Sequence, residues 1–365
     1  MVVNCVYLIS LLAQIDMRKN LPTLFFFLAA SSVWAQHNWS LDRANQWYGQ
    51  QPWLVGCNFI PSTAINELEM WQADTWDPKT IDRELGWAEN IGFNVARVYL
   101  HNLVWETDKD GFKKRIDEFL TMADRHKIKI LFVLFDDCWN RDPKTGTQPE
   151  PKPGVHNSGW MQAPGQARVN DPTTWKPLEN YTKELLITYT DDRRVMMWDL
   201  YNEPGNEGMF DKSLPFLKMV FEWAWAVRPS QPLTCATWNS DEKFNYLNSF
   251  QLTSSDVLTF HNYSDPKNLE AEILQLQKTG RPFICSEYMA RTNGSRFETN
   301  LPVLKKYNVG AINWGLVSGK TNTIFPWGSK EETPEPKVWF HDIFRKDGTA
   351  FSVEEIKFLK AITKR

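Results

Sequence analysis

Eight short runs of the chain are almost wholly apolar: WLVGCNF (53–59), NVARVYL (94–100), KILFVLFD (129–136), VMMWDLY (195–201), PLTCAT (232–237), DVLTFH (256–261), PFICSE (282–287) and VGAINWG (309–315). A strand with one wet face alternates apolar and polar residues. Runs without alternation predict parallel strands covered on both faces. Between the runs the spacing becomes helical. Ile81, Leu85, Ala88 and Ile91 share one face, as do Phe112, Ile116, Phe119, Leu120 and Ala123, and again Leu214, Leu217, Phe221 and Ala224. Asp110, ahead of the second helical segment, is placed as its N-cap. Strand and helix alternating in this way predict an α/β chain folded as a single (β/α)8 TIM barrel, with extended loops at the C-terminal face of the strands. A doubly wound nucleotide-binding sheet lacks support, because no GxGxxG follows the first strand. One connection is much longer than the rest. The insertion over 139–174 holds RDPKTGTQPEPKPG and VHNSGWMQAPGQ, and loops on this side of a barrel form its binding surface.

The region before the first run is organised differently. Met17-Arg18-Lys19-Asn20 is a short basic start, LFFFLAA lies in the apolar stretch Leu21 to Ala30, and SSVWAQ places small residues ahead of Gln36. That pattern predicts a signal peptide over 1–35 with its true start at Met17, and a barrel over 36–365. The apolar stretch is shorter than a membrane span of ~20 residues. The expected location is secreted or periplasmic, with no membrane anchor. Net charge is −3, so no basic field points to nucleic acid. Eighteen tryptophans offer many flat apolar faces, which suit the C–H face of a sugar ring. Cys57, Cys138, Cys235 and Cys285 lie singly in or beside strands, without the CxxC spacing of a zinc site. They read as buried free thiols, and a Cys57–Cys138 disulfide stays open for an exported chain.

In a barrel the polar residues at strand C-termini face the active site. Reading those ends in order yields Asn58, then Arg97 with His101 beyond it, then Asp136, Asp137 and Trp139, then Asn202 and Glu203. The later strands add His261, Asn262 and Tyr263, then Glu287, then Asn313 and Trp314. Glu203 and Glu287, after the fourth and seventh strands, lie across the barrel mouth, a paired-carboxylate arrangement of the kind glycosidic cleavage requires. Pro204 ends the fourth strand at Glu203 and biases that residue toward extended backbone.

With these motifs in place the chain resembles a clan A glycoside hydrolase, similar to the family 5 cellulase and mannanase group. The markers are Arg97 in ARVYL, NEP at 202–204, HNY at 261–263, SEY at 286–288 and Trp314 in INWG, spread over about residues 50 to 345. One departure marks a divergent branch: the third strand ends FDDCWN, where that family often has a histidine near the sugar. The resemblance implies a retaining β-glycoside hydrolase without cofactor or metal, acting on a carbohydrate substrate as a monomer. Glu203 would be the acid/base and Glu287 the nucleophile, with Tyr263 and Arg97 bonding Glu287. Asn202 would donate to the sugar 2-OH, His261 would support the acid/base or the substrate, and Trp314 would be the stacking floor. Asn58 and Trp139 complete the expected substrate-binding set.

Other residues carry weaker expectations. Asp136 and Asp137 read as structural rather than as a metal pair, since no HxH accompanies them. Trp139, Trp160 and Trp327 are candidate sugar platforms, Trp71 and Trp76 less so, and Trp223 and Trp225 are placed in the core. His101 and His156 are single loop histidines, more often structural than catalytic. The 139–174 loop could close one end of the groove and favour exo action. Two competing functions are a catalytically silent carbohydrate-binding barrel and a metal-dependent barrel hydrolase.

Overall fold

Every one of the eight apolar runs becomes a strand in the computed structural model, which describes residues 37–364. The segment read as a leader lies outside the described residues. The strands are β1 (Val55–Asn58), β2 (Val95–Tyr99), β3 (Lys129–Val133), β4 (Val195–Asp199), β5 (Leu233–Thr234), β6 (Leu258–His261), β7 (Phe283–Glu287) and β8 (Gly310–Trp314). They lie in the order β5-β4-β3-β2-β1-β8-β7-β6, and each pairing is parallel. The ring closes between β5 and β6 by a bridge from Thr237 to Phe260, with the Thr237 N–H donating to the Thr259 carbonyl at 3.1 Å. The chain is therefore a (β/α)8 barrel.

Helices α1 (Pro78–Asn90), α2 (Asn102–Arg125), α3 (Trp175–Thr188), α4 (Leu214–Val227), α5 (Asn245–Ser254), α6 (Pro266–Leu276), α7 (Phe297–Lys306) and α8 (Val353–Ile362) follow the strands in turn. Their apolar faces are the ones the spacing predicts. Ile81, Leu85 and Ala88 on α1, and Phe112, Ile116, Phe119, Leu120 and Ala123 on α2, are all buried. Each such Ile, Leu or Phe side chain contributes roughly 1.5–3 kcal/mol of transfer free energy. The capping of α2 differs from expectation. The helix starts behind His101, kinks at Asp108 (φ −147°, ψ 60°), and Asp108 rather than Asp110 accepts from the N–H three residues on. Asp108 is also held by Arg115 at 2.8 Å, whereas the Asp110 side chain points to solvent.

The period of two within each strand sorts the barrel interior. On β2, Val95, Arg97 and Tyr99 face inward. Val95 and Tyr99 pack there with Leu131, Val133, Met197, Ile284 and Ile312, while Ala96 and Val98 join the layer under the helices. Register then sets the level of the polar residues. Asn58 pairs with Arg97 on one side and with Trp314 on the other, and His261 pairs with Glu287, so these groups share one rim. Gly56 is required by this closeness, since a Cβ there would lie 1.7 Å from the Val95 carbonyl oxygen. No helix among the described residues is long and apolar enough to cross a membrane.

Candidate active site

Arg97 is the charged centre of the rim. It is fully buried, and burying a guanidinium is tolerable only when its donors are occupied. Its Nε and Nη2 donate to Asp199 Oδ2 at 3.0 and 2.7 Å. Nη2 also donates to Asn202 Oδ1 at 2.7 Å, and Nη1 to Asn58 Oδ1 at 2.9 Å and Glu287 Oε1 at 2.8 Å. Arg97 and Asn58 thus lie beneath the cleft floor, and neither lines the cleft. Both are expected in the substrate-binding set, and the structure instead gives them partners within the floor: Asn58 is held by Arg97 and by the Ser286 and Asn313 carbonyls. Arg97→Ala would leave Asp199 buried without its cation. The expected loss is about 3–5 kcal/mol of stability, read as a lower urea midpoint. A loss under ~1 kcal/mol would show that Asp199 finds another partner.

Two glutamates rise from this floor. Glu287, at the end of β7, receives three donors: Arg97 Nη1, the Tyr99 hydroxyl at 3.0 Å and the Tyr263 hydroxyl at 2.7 Å. Glu203 sits just past β4, its side chain 13% exposed. Its Oε1 faces His261 Nδ1 at 2.9 Å, and its Oε2 accepts from Asn206 Nδ2 at 2.7 Å and from the Cys138 thiol at 3.2 Å. Burial pushes its pKa above the usual carboxylate range, against the hydrogen bonds from Cys138 and Asn206. Oxygens of Glu203 and Glu287 and a ring nitrogen of His261 lie within 4.8 Å of one another.

The backbone presenting Glu203 departs from expectation. Its φ is +42°, in the left-handed region, rather than extended as a residue before proline prefers. The following turn explains this. Gly205 has a φ of +89° and donates its N–H to Asp137 Oδ2 at 2.7 Å, and the Asn206 N–H returns to the Glu203 carbonyl at 3.1 Å. Such a conformation costs about 1–3 kcal/mol, and surrounding contacts must hold it. Asp137 supplies them through Gly205, the Ser213 hydroxyl and the Tyr201 hydroxyl. Asp136 accepts from Cys138 N, Trp160 Nε1 and Asn202 Nδ2. Both aspartates therefore shape the site from behind. Asn202 is fixed between Asp136 and Arg97, with its amide at the cleft wall.

Above these groups lies a cleft of about 900 Å³. Trp139, Trp160, Trp314 and Trp327 line it, as do Cys138, His156, Asn202, Glu203, His261, Tyr263 and Glu287. Trp71 and Trp76 do not; Trp71 is buried, donates to the Tyr99 carbonyl at 2.7 Å and stacks on Trp76. His101 is also buried and caps α2. Trp223 is buried on α4, and Trp225 packs against the same layer. Cys57, Cys138, Cys235 and Cys285, the cysteines among the described residues, are buried free thiols. Tyr99, Cys138, Asn206 and Trp238 are parts of the site that sequence reasoning missed. Tyr99 could have been found, because it lies two residues after Arg97 and so on the same strand face. Cys138 occupies the sector of the divergent FDDCWN run and puts its thiol on Glu203.

Residues 159–310 match a family model described as glycosyl hydrolases family 2, TIM barrel domain. No curated protein matches the sequence. Among solved structures, the chain is similar to an exo-β-1,4-mannosidase from Opitutaceae bacterium strain TAV5, at 14% identity and a TM-score of 0.58. That alignment covers 85% of this chain and 59% of the mannosidase, so the chain spans less than two thirds of that protein. It is similar to an endo-β-1,4-mannanase from Thermotoga petrophila at 14% identity and a TM-score of 0.56, covering 87% of this chain and 77% of that one. A GH5-4 broad-specificity endoglucanase from Clostridium longisporum aligns at 11% identity with a TM-score of 0.58, covering 88% and 98%. At these identities the likeness shows the fold: the chain is a (β/α)8 barrel, similar to the barrels of this mannosidase, mannanase and endoglucanase.

Proposed function

We propose that this protein is an exported retaining β-glycoside hydrolase that cleaves β-linked poly- or oligosaccharides by double displacement. The observation that carries the reading is the pairing of Glu203 and Glu287. One carboxyl oxygen of each lies within 4.8 Å of the other, a close pairing that supports the retaining arrangement, in which the carboxyls stand ~5–5.5 Å apart. The environments of the two carboxyls differ in the sense the mechanism needs. Glu203 is nearly buried, and burial raises its pKa, the direction a general acid needs. Glu287 is bonded by Arg97, Tyr99 and Tyr263, which hold its carboxyl group in place at the rim.

In the first step a Glu287 oxygen attacks the anomeric carbon, the glycosidic C–O bond breaks, and the Glu203 proton passes to the leaving oxygen. In the second, Glu203 takes a proton from water, the water oxygen attacks the same carbon, and the Glu287 ester bond breaks. His261 Nδ1 holds Glu203 Oε1 in place, and burial lowers the His261 pKa to about 4, so the ring is neutral near pH 7. Trp314 and Trp139 offer flat faces to the sugar. The mannosidase, mannanase and endoglucanase similarities favour β-1,4-linked mannose chains or glucose chains as substrates. The leader pattern favours a secreted or periplasmic site of action.

A cation held by Glu203, His261 and Glu287 is the second reading, since their ligand atoms are close enough. It is disfavoured because both Glu287 oxygens already accept from Arg97, Tyr99 and Tyr263. The pH profile tests the acid role, measured on aryl β-glycosides with EDTA present. An acid works only while protonated, so kcat/KM should fall as pH rises through the Glu203 pKa, and that limb should lie above the ordinary glutamate value of ~4.3. A limb at or below the ordinary value would remove Glu203 from the acid role. Loss of activity in EDTA would favour the metal reading.

A further inference from the structure

The cleft is built unevenly. None of its lining residues comes from the segments after β1 or β2. On that side the space is filled by Trp160, 2% exposed, which packs edge-on against Tyr99 and Trp314 with ring centroids 5.1 and 5.5 Å away. Behind Trp160, the segments after β1, β3 and β8 are tied together. Asn66 Nδ2 donates to the Gly159 carbonyl at 2.8 Å, the Asn157 N–H to the Thr321 carbonyl at 2.8 Å, and the Glu332 N–H to the Pro153 carbonyl at 2.9 Å. On the opposite side the cleft runs past Glu203 over Trp238, whose Nε1 donates to the Pro204 carbonyl at 3.1 Å. It continues toward Asn245 and Asn248 on α5 and Glu272 on α6.

Chemistry orients a chain in this cleft. The nucleophile meets the anomeric carbon and the acid stands beside the leaving oxygen. The leaving portion of the substrate therefore lies on the Glu203 side, along the open groove. The sugar that reacts lies toward the closed wall. That wall carries two free acceptors. His156 Nδ1 is 2.7 Å from the Phe325 carbonyl, which can only accept, so Nδ1 carries the proton and Nε2 is left as an acceptor in the neutral ring. Burial favours the neutral ring, lowering the His156 pKa to about 4. Asn157 is 3% exposed and its Oδ1 has no hydrogen-bond partner among the described residues. Both residues line the cleft.

We propose that the closed wall admits a single sugar on the glycone side, so that the enzyme is exo-acting, and that His156 and Asn157 accept hydrogen bonds from hydroxyls of a free non-reducing end. This rests on the glycosidase reading above. Acceptors on the wall discriminate because a terminal sugar offers an O–H proton where an internal sugar has an ether oxygen. An internal sugar would leave the acceptor that meets its linkage oxygen unpaired, as well as meeting the wall.

The test uses the full chain with p-nitrophenyl β-glycosides and β-biosides of glucose, mannose and xylose. The expected first products from a bioside are a monosaccharide and the p-nitrophenyl monoside. Release of an intact disaccharide would mean two glycone sugars fit, which overturns exo action while leaving the glycosidase reading standing. No cleavage of any β-glycoside would overturn that reading and this inference with it. Asn157 has a φ of +47°, so Asn157→Gly removes the side chain without backbone conflict. It should lower kcat/KM on the monoside by about tenfold, and lower it less on the deoxy glycoside lacking the recognised hydroxyl. An unchanged kcat/KM would remove Asn157 from the recognition of that end.

Discussion

Replacing Glu287 by glutamine is expected to lower kcat on every β-glycoside by on the order of 10⁴-fold or more while the barrel stays folded. The amide keeps the shape of the side chain but cannot form the glycosyl ester, so one covalent step is lost. A 10⁴-fold loss corresponds to roughly 5.4 kcal/mol of transition-state stabilisation. Folding should survive because the amide oxygen can still accept from Arg97, which keeps Asp199 as its ion-pair partner. Thermal melting and steady-state kinetics on one preparation check both halves. A variant within tenfold of the native rate would show that Glu287 is not the nucleophile.

Glu203→Ala should behave differently, because it removes a proton donor rather than the bond-forming atom. Glycosides with poor leaving groups are expected to lose about 10²–10⁴-fold in kcat, the usual contribution of a positioned general acid. Activated aryl glycosides, which leave without a proton, should keep a much larger share of the first step. Deglycosylation then becomes slow, since Glu203 also activates water, and a glycosyl enzyme should accumulate. Azide added as a small anionic nucleophile should restore turnover and yield a glycosyl azide. Equal losses on good and poor leaving groups, with no rescue, would argue that Glu203 has only a structural role. The Glu203 limb of the pH profile should disappear in this variant.

Much of the architecture was legible because the barrel imposes a strong signal. A strand covered on both faces must be apolar at successive positions, and Val195 to Asp199 or Phe283 to Glu287 show this directly. The carboxylates were legible for the converse reason: Glu203 and Glu287 are charged groups at the ends of runs that otherwise exclude charge. Partners set by tertiary folding were harder to see. Cys138 reads as one more apolar strand residue, and only folding brings its thiol to Glu203 across 65 positions. Tryptophans carry no local sign of facing, so Trp71 and Trp160 look alike in sequence although only Trp160 lines the cleft. The left-handed turn at Glu203 was hidden because a pre-proline preference of local origin is overridden by Asp137, held by its own bonds to Tyr201 and Ser213.

The separation of the two carboxyls makes one stereochemical claim that rate measurements do not. Proton NMR of the first sugar released, recorded before mutarotation, reads it directly. Two displacements at one carbon predict the β-anomer, with configuration retained. First appearance of the α-anomer would mean a single displacement by water, and would contradict the pairing of Glu203 and Glu287 as acid/base and nucleophile.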